Sequence, residues 1–287
     1  MTYRRYKVGI VVVVCLAFVL LGAPPVHAAS TLVQQNNAGN CAHSGCTGSS
    51  VQVSLQNVAS GDVLVVAVNW FYAFQNLTSL TDSLGSSFTQ AVYISGWVGC
   101  AIGAPTSPCL FAAIFYATLS SGASSDTLTA TFSRPTGGQN VYVYEISGVT
   151  TAGAATGTGA APDATRGTTF STVPVSFQSG AFLLAIVSSD TIGCTPSYTT
   201  PTPGFTTSTE NSGALSSCTE WSDTLSSSPT TFTMTYSGLG INWVEASIAL
   251  NPSVISGFPI EGIIIGSILG VALVTLLRRK RRVTEET

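Results

Sequence analysis

Side chains able to do acid–base, nucleophilic or metal chemistry are few in this chain and scattered. His43 is the only histidine beyond the first 29 residues, so a Ser-His-Asp arrangement would have to use it. It lies between Cys41 and Cys46. Together the three could offer a zinc ion only three ligands, with no second cluster to complete the set. An exposed histidine in a small disulfide loop explains it as well. Glu145 and Glu245 stand in similar contexts, Val143-Tyr144-Glu145-Ile146-Ser147 and Trp243-Val244-Glu245-Ala246-Ser247. Two carboxylates about 5 to 10 Å apart can cleave a glycosidic bond; strand carboxylates bonded to neighbouring hydroxyls are the plainer alternative. Asp82 and Asp190 follow strand-like runs. Each could join an oxygen-rich Ca²⁺ site or cap a turn, and no dense acidic loop favours the ion. The expectation is no catalytic residue, no metal and no cofactor.

Aromatics offer a different chemistry. Trp70, Phe71, Tyr72 and Phe74, with Trp97 beyond them, surround the turn-like stretch from Leu80 to Ser87. Aromatic faces can stack sugar rings, or simply fill a core and its edges. Trp70, Trp97, Glu145 and Glu245 are therefore the candidate ligand surface, for a glycan or a surface protein. Asn76-Leu77-Thr78 is the sole N-glycosylation sequon, and its use depends on the host.

Charge excludes whole classes of partner. Arg4, Arg5 and Lys7 lie near the N-terminus, and Arg278, Arg279, Lys280, Arg281 and Arg282 near the C-terminus. Between residues 29 and 258 only Arg134 and Arg166 stand against ten carboxylates, a net of −8 without a single lysine. Nucleic-acid binding needs clustered cations to displace counterions from phosphates, so no nucleic-acid partner is expected. Anionic membrane surfaces are disfavoured for the same reason, and lysine–asparagine isopeptide cross-links are impossible there.

The two ends read as targeting segments. Residues 1–28 have a cationic start, an apolar run from Val8 to Leu21 and small residues at Val26-His27-Ala28, the three parts of a signal peptide. Cys15 is preceded by Val12-Val13-Val14, which is no lipobox. Residues 258–277 are almost wholly apolar with Glu261 as the only charge, and twenty helical residues rise about 30 Å, the thickness of the hydrocarbon core. The basic tail, residues 278–287, would then be cytoplasmic by the positive-inside rule. This predicts a cell-membrane protein of type I topology, its N-terminal domain extracellular and its helix in the lipid bilayer. Gly262, Gly266 and Gly270 recur at four-residue spacing, a pattern that supports helix-mediated self-association. Beyond the leader six cysteines remain: Cys41, Cys46, Cys100, Cys109, Cys194 and Cys218. They fall into neighbouring couples, 41–46, 100–109 and 194–218, although six cysteines allow many pairings. Closing those loops would contribute about 2, 3 and 3.5 kcal/mol on the chain-entropy model, and an even set suits an oxidising exterior.

The elements that must position these residues read as strands. Val51, Val53 and Leu55 alternate with polar residues, as on a half-buried strand. Alternating or β-branched runs follow at 62–70, 88–94, 110–119, 127–132, 141–146, 169–177, 181–188, 205–209, 230–236 and 241–250. Many short strands with turn signals between them predict an all-β, β-sandwich or jelly-roll-like domain over residues 51–251. Residues 29–50 would be an N-terminal segment with a small disulfide loop, and residues 252–257 a linker. The second half echoes the first. Ser60-Gly61 before Val63-Leu64-Val65 matches Ser179-Gly180 before Phe182-Leu183-Leu184, and Gly85-Ser86-Ser87-Phe88-Thr89 matches Pro203-Gly204-Phe205-Thr206. The Thr-rich runs Asp126–Phe132 and Pro229–Tyr236 match, as do the segments holding Glu145 and Glu245, and Cys109 corresponds to Cys218. Two related halves are expected, packed face to face as one sandwich, with the Gly/Ala/Thr-rich stretch 152–167 as crossover.

The order GDVLVVAVNW, LTDSLGSSFT, IFYATLSSGASSDTLTATFS, VYVYEISGV, PTPGFTTSTE and WVEASIAL resembles an uncharacterised group of secreted microbial β-sandwich domains. That resemblance implies a cell-surface module with a structural or adhesive role, and it carries no active site to transfer. The layout Pro259-Ile260-Glu261, apolar run and basic cluster also resembles the PEP-type sorting signals of bacteria and their archaeal counterparts, in which the tail is cut off. A carbohydrate-binding module with weak glycosidase chemistry is the alternative.

Overall fold

The computed structural model describes residues 27–40, 48–71, 75–96, 109–134, 138–161, 167–189, 199–208, 217–226, 228–237 and 241–254. The leader run, His43, Trp97, Cys41, Cys46, Cys100, Asp190, Cys194, the apolar segment 258–277 and the basic tail lie outside them. The chain divides into two units, Ala28–Ser253 and the combined ends Met1–His27 with Val254–Thr287. Of the ends only His27 and Val254 are described, and they form an isolated antiparallel bridge.

The unit Ala28–Ser253 is all-β, with no helix among its described residues. Its first eight strands are β1 (Thr31–Asn40), β2 (Ser50–Val58), β3 (Val63–Phe71), β4 (Leu77–Thr81), β5 (Thr89–Gly96), β6 (Leu110–Thr118), β7 (Ala123–Phe132) and β8 (Gln139–Ser147). The next eight are β9 (Ala155–Ala161), β10 (Thr169–Ser171), β11 (Phe182–Ser189), β12 (Thr199–Thr200), β13 (Thr206–Thr207), β14 (Ser217–Ser222), β15 (Thr233–Tyr236) and β16 (Trp243–Leu250).

Among the described residues four antiparallel sheets result, and their orders repeat. The first half forms a five-stranded sheet β1-β8-β3-β6-β5 and a three-stranded sheet β2-β7-β4. The second forms β9-β16-β11-β14-β13 and β10-β15-β12. Adding eight to each strand number converts one half into the other. Within each half the pairings nest, β1 with β8, β2 with β7 and β3 with β6, as if one long hairpin had been rolled over itself. The innermost strands break the nesting: β4 stays on β7 while β5 pairs with β6. Gly61 and Gly180, the matched glycines of the repeat, both adopt positive φ, 90° and 81°, where a Cβ would be strained. Each turns the chain into the central strand of its five-stranded sheet.

Burial patterns explain the layers. On β2 and β7 buried and open residues alternate, as on a sheet with one wet face. On β3, β8, β11 and β16 nearly every residue is buried, the mark of a strand covered on both faces. Leu64, Val66, Val68 and Trp70 face Val53, Leu55 and Leu128 of their own half. Val63, Val65, Ala67 and Ile114 face Phe182, Leu184, Ile186 and Val244 of the other. Each buried Val, Leu, Ile or Phe among them contributes roughly 1.5–3 kcal/mol. Each half is thus its own sandwich, and the two meet back to back through their five-stranded sheets, making four layers instead of the single sandwich expected. The physical reason is that each half already covers one face with a three-stranded sheet, leaving only the outer face of the larger one apolar.

A polar seam fixes the meeting of the halves. Tyr144 donates to Thr219 Oγ1 at 2.7 Å and lies 2.6 Å from Ser208 Oγ, which itself donates to Gln35 Oε1 at 2.9 Å. Asn140 donates to Ser217 Oγ at 2.8 Å, and the Tyr142 hydroxyl lies 2.8 Å from that oxygen. Burial pushes the Tyr144 phenol up to about 12, with the Ser208 and Thr219 hydrogen bonds opposing it.

Several expectations need correcting. Residues 29–50 hold strand β1, which pairs along β8. The supposed crossover 152–167 holds β9, paired with β16. Its glycines serve a close approach: a Cβ on Gly159 would collide with the Ser171 carbonyl oxygen, so only glycine fits. The linker begins within the fold, since Ser253 N donates to Gly148 O at 2.8 Å and Pro252 bridges Val149. Cys109 and Cys218 are not equivalent: Cys218 lies opposite Val187, the place Ala113 takes opposite Val68.

Candidate functional site

Because β4 and β5 do not pair, one flank of the first sandwich stays open. β4 ends its three-stranded sheet and β5 ends its five-stranded sheet, and a cleft of 460 Å³ runs between them. That lies within the usual range of small-ligand sites, about 300–1,000 Å³. Trp70, Leu77, Leu80, Phe88 and Phe115 form its apolar walls. Asn76, Thr78, Ser79, Gln90 and Tyr93 line its rim, and all five are exposed. Among the described residues no charged side chain lines it.

The aromatic wall is braced from behind. Trp70 stacks on Phe111 with ring centroids 5.1 Å apart and planes at 10°, and meets Phe132 edge-on at 6.0 Å. Its indole N–H donates to Gln75 O at 2.8 Å. Only 3% of Trp70 is exposed against 39% of Tyr93, so Trp70 is the floor and Tyr93 the presented ring. Tyr93 leans on Trp70 and Phe111 at 6.0 and 6.2 Å. Partial burial raises its phenol pKa, with the Ser95 hydrogen bond opposing. Both flanking strands carry a register shift here, between Leu77 and Ser79 on β4 and between Gln90 and Val92 on β5. Such bulges re-aim side chains and gather beside binding sites. At the sequon, Asn76 N donates to Ser133 Oγ and Thr78 Oγ1 to Thr131 O, which ties the rim to the C-terminal end of β7.

The two glutamates are not brought together. With Gly61 matched to Gly180, Leu64 corresponds to Leu183; Leu64 pairs with Glu145, whereas Leu183 pairs with Ala249. Glu245 instead pairs with Val187, the counterpart of Val68, which pairs with Val141. The carboxylates are therefore four residues out of register. They also point apart. Tyr144 and Ile146, and Val244 and Ala246, face the junction of the halves, so Glu145 and Glu245 each turn away from it into their own sandwich. Two packed sheets, about 10 Å apart face to face, separate them. They cannot flank one glycosidic bond.

Each has a local setting instead. Glu145 accepts from Ala59 N at 2.8 Å and from Gln34 Nε2, clamping β1 and the β2–β3 turn to β8. Nearby, burial first and the Glu145 charge second raise the Asp62 pKa. Glu245 is fully buried, and neither of its oxygens has a hydrogen-bond partner among the described residues. On the same inner face lies Glu220, also buried, which accepts from Thr202 N and Thr202 Oγ1 at 2.7 Å each. Burial pushes the Glu220 carboxyl up to about 7 against the lowering effect of the Thr202 bonds. Burial, then the Glu220 charge, raises Glu245 well above the ordinary carboxylate range. Sequence reasoning passed over Glu220; its place in Ser217–Ser222, a polar run without apolar alternation, concealed a strand buried along its length.

Asp82 accepts from Ser86 N at 2.7 Å, capping its turn. Among the described residues no group of three or more His, Cys, Asp and Glu could hold a metal ion. Comparison with family models, with curated proteins and with solved structures finds no match to this chain.

Proposed function

We propose that this chain is a membrane-anchored surface module with a structural or adhesive role and no catalysis, each half a jelly roll with its fifth strand moved to the larger sheet. The observation that carries it is the fate of the carboxylates. Glu145 is consumed in a structural clamp and Glu245 and Glu220 are enclosed, while the exposed opening on the first sandwich carries no charge among its described residues. The leader-like run at residues 1–28, the apolar run at 258–277 and the cations at 278–282 support that address. Cystines 41–46, 100–109 and 194–218 would fasten the exported part; Cys109 and Cys218 are both buried, as suits half-cystines. Protease applied to intact cells should clip the chain between residues 30 and 250. Protection of that whole span would defeat the proposal.

A carbohydrate-binding module is the second reading, supported by the aromatic cleft beside β4 and β5. Its glycosidase variant has lost its motive, since Glu145 and Glu245 share no opening. Trp70→Ala is a poor probe of it, because removing a buried ring braced by Phe111 and Phe132 costs about 3–5 kcal/mol of stability.

A further inference from the structure

We infer that the cleft between β4 and β5 binds an uncharged saccharide, with Tyr93 as the stacking ring and Gln90, Asn76 and Thr78 as the hydrogen-bonding rim; this rests on the surface-module reading and gives it a ligand class. A sugar ring has an apolar C–H face and a hydroxyl edge. The cleft has the matching pair of surfaces, an aromatic wall ending in the exposed Tyr93 and a rim of amides and hydroxyls. Charge narrows the class. With no cation among the described lining residues, acidic or sulfated sugars would surrender their hydration without an ion partner. Backbone geometry separates a sugar from a peptide. An added peptide strand needs an even row of edge N–H and C=O groups, and both edges here are interrupted by bulges at the level of Thr78 and Ala91. Tyr93 is held at a fixed tilt by Trp70 and Phe111, so binding sacrifices little rotamer freedom.

The test uses the full chain, made in a host without N-glycosylation so that no sugar on Asn76 fills the cleft, and kept in a detergent lacking a sugar headgroup. It is passed over immobilised neutral, acidic and sulfated oligosaccharides and over extended peptides. Retention by neutral saccharides is expected, with Tyr93→Ala and Gln90→Ala each weakening it at least ten-fold. Both side chains are exposed, and unchanged unfolding midpoints would show the variants folded. Retention only by acidic or sulfated sugars, capture by peptides alone, no retention at all, or unchanged binding by both variants overturns the inference. The surface reading fails separately, through protection from protease on intact cells, whatever the array shows.

Discussion

Glu220 makes the interior of the second sandwich a pH sensor of its own stability. Its carboxyl rises from 4.5 to about 7 on folding, chiefly through burial. Each tenfold change in proton affinity is worth about 1.4 kcal/mol, so the two pKa values differ by about 3 kcal/mol in free energy. The sign follows from linkage. The folded state holds this proton more tightly, so the stabilisation is complete below pH 4.5 and is lost as pH climbs through about 7. Glu245, raised in the same direction, extends the loss to higher pH. Glu220→Gln keeps an uncharged group of the same shape. It exchanges a carboxylate for an amide at the Thr202 hydrogen bonds, at roughly 1 kcal/mol. At pH 8 the variant should therefore be more stable than the parent by about 2 kcal/mol, the difference of those two figures. With a urea slope of about 3 kcal/mol per molar for a domain this large, the midpoint should rise by roughly 0.7 M. Buried Trp70 and Trp243 give a fluorescence readout. Near pH 4.5 the advantage should vanish or reverse slightly. A variant that is no more stable at pH 8, or whose advantage is the same at both pH values, would refute the reasoning.

Two further outcomes are expected. Tyr144→Phe strips a hydroxyl that both Thr219 and Ser208 use, leaving Thr219 Oγ1 unmatched in the junction of the halves. A loss of about 1–3 kcal/mol in urea unfolding is expected, and a neutral result would dissolve the seam's role. Gly159→Ala forces a methyl onto the Ser171 carbonyl, and overpacking of that kind costs about 1–3 kcal/mol. A wild-type melting temperature would mean β9 does not run so close to the 171–173 segment.

Strands that bury apolar side chains declared themselves. The unbroken run Val63–Val68 and the alternation Val51-Gln52-Val53-Ser54-Leu55 predicted β3 and β2, and the Ser-Gly pairs before β3 and β11 exposed the repeat. What stayed hidden was strand structure written in residues that signal loops. β9 reads Ala-Thr-Gly-Thr-Gly-Ala-Ala because it needs small residues to pass a neighbouring backbone, and composition cannot tell that from flexibility. β14 is polar because its hydroxyls meet tyrosines from the other half, a partner no local window contains. The likeness of the Glu145 and Glu245 segments misled for a related reason. Short strands share Glu-x-Ser patterns readily, and only pairing against β3 and β11 shows the four-residue offset. At the site, residue type points to Trp70, yet Tyr93 at an alternating position on an edge strand is the ring that meets solvent.

The back-to-back junction says something about what one half could be alone. A single eight-stranded copy would leave Val63, Val65, Ala67 and Ile114 facing water, an apolar expanse that soluble monomers seldom display. Its natural remedy is a second copy of itself, related by a two-fold axis that presents one patch to its own likeness. Joining both copies in a single polypeptide makes that encounter intramolecular and independent of concentration. It also frees each copy to diverge, so that the second can lodge Glu220 and Glu245 on one inner face while the first keeps an open flank.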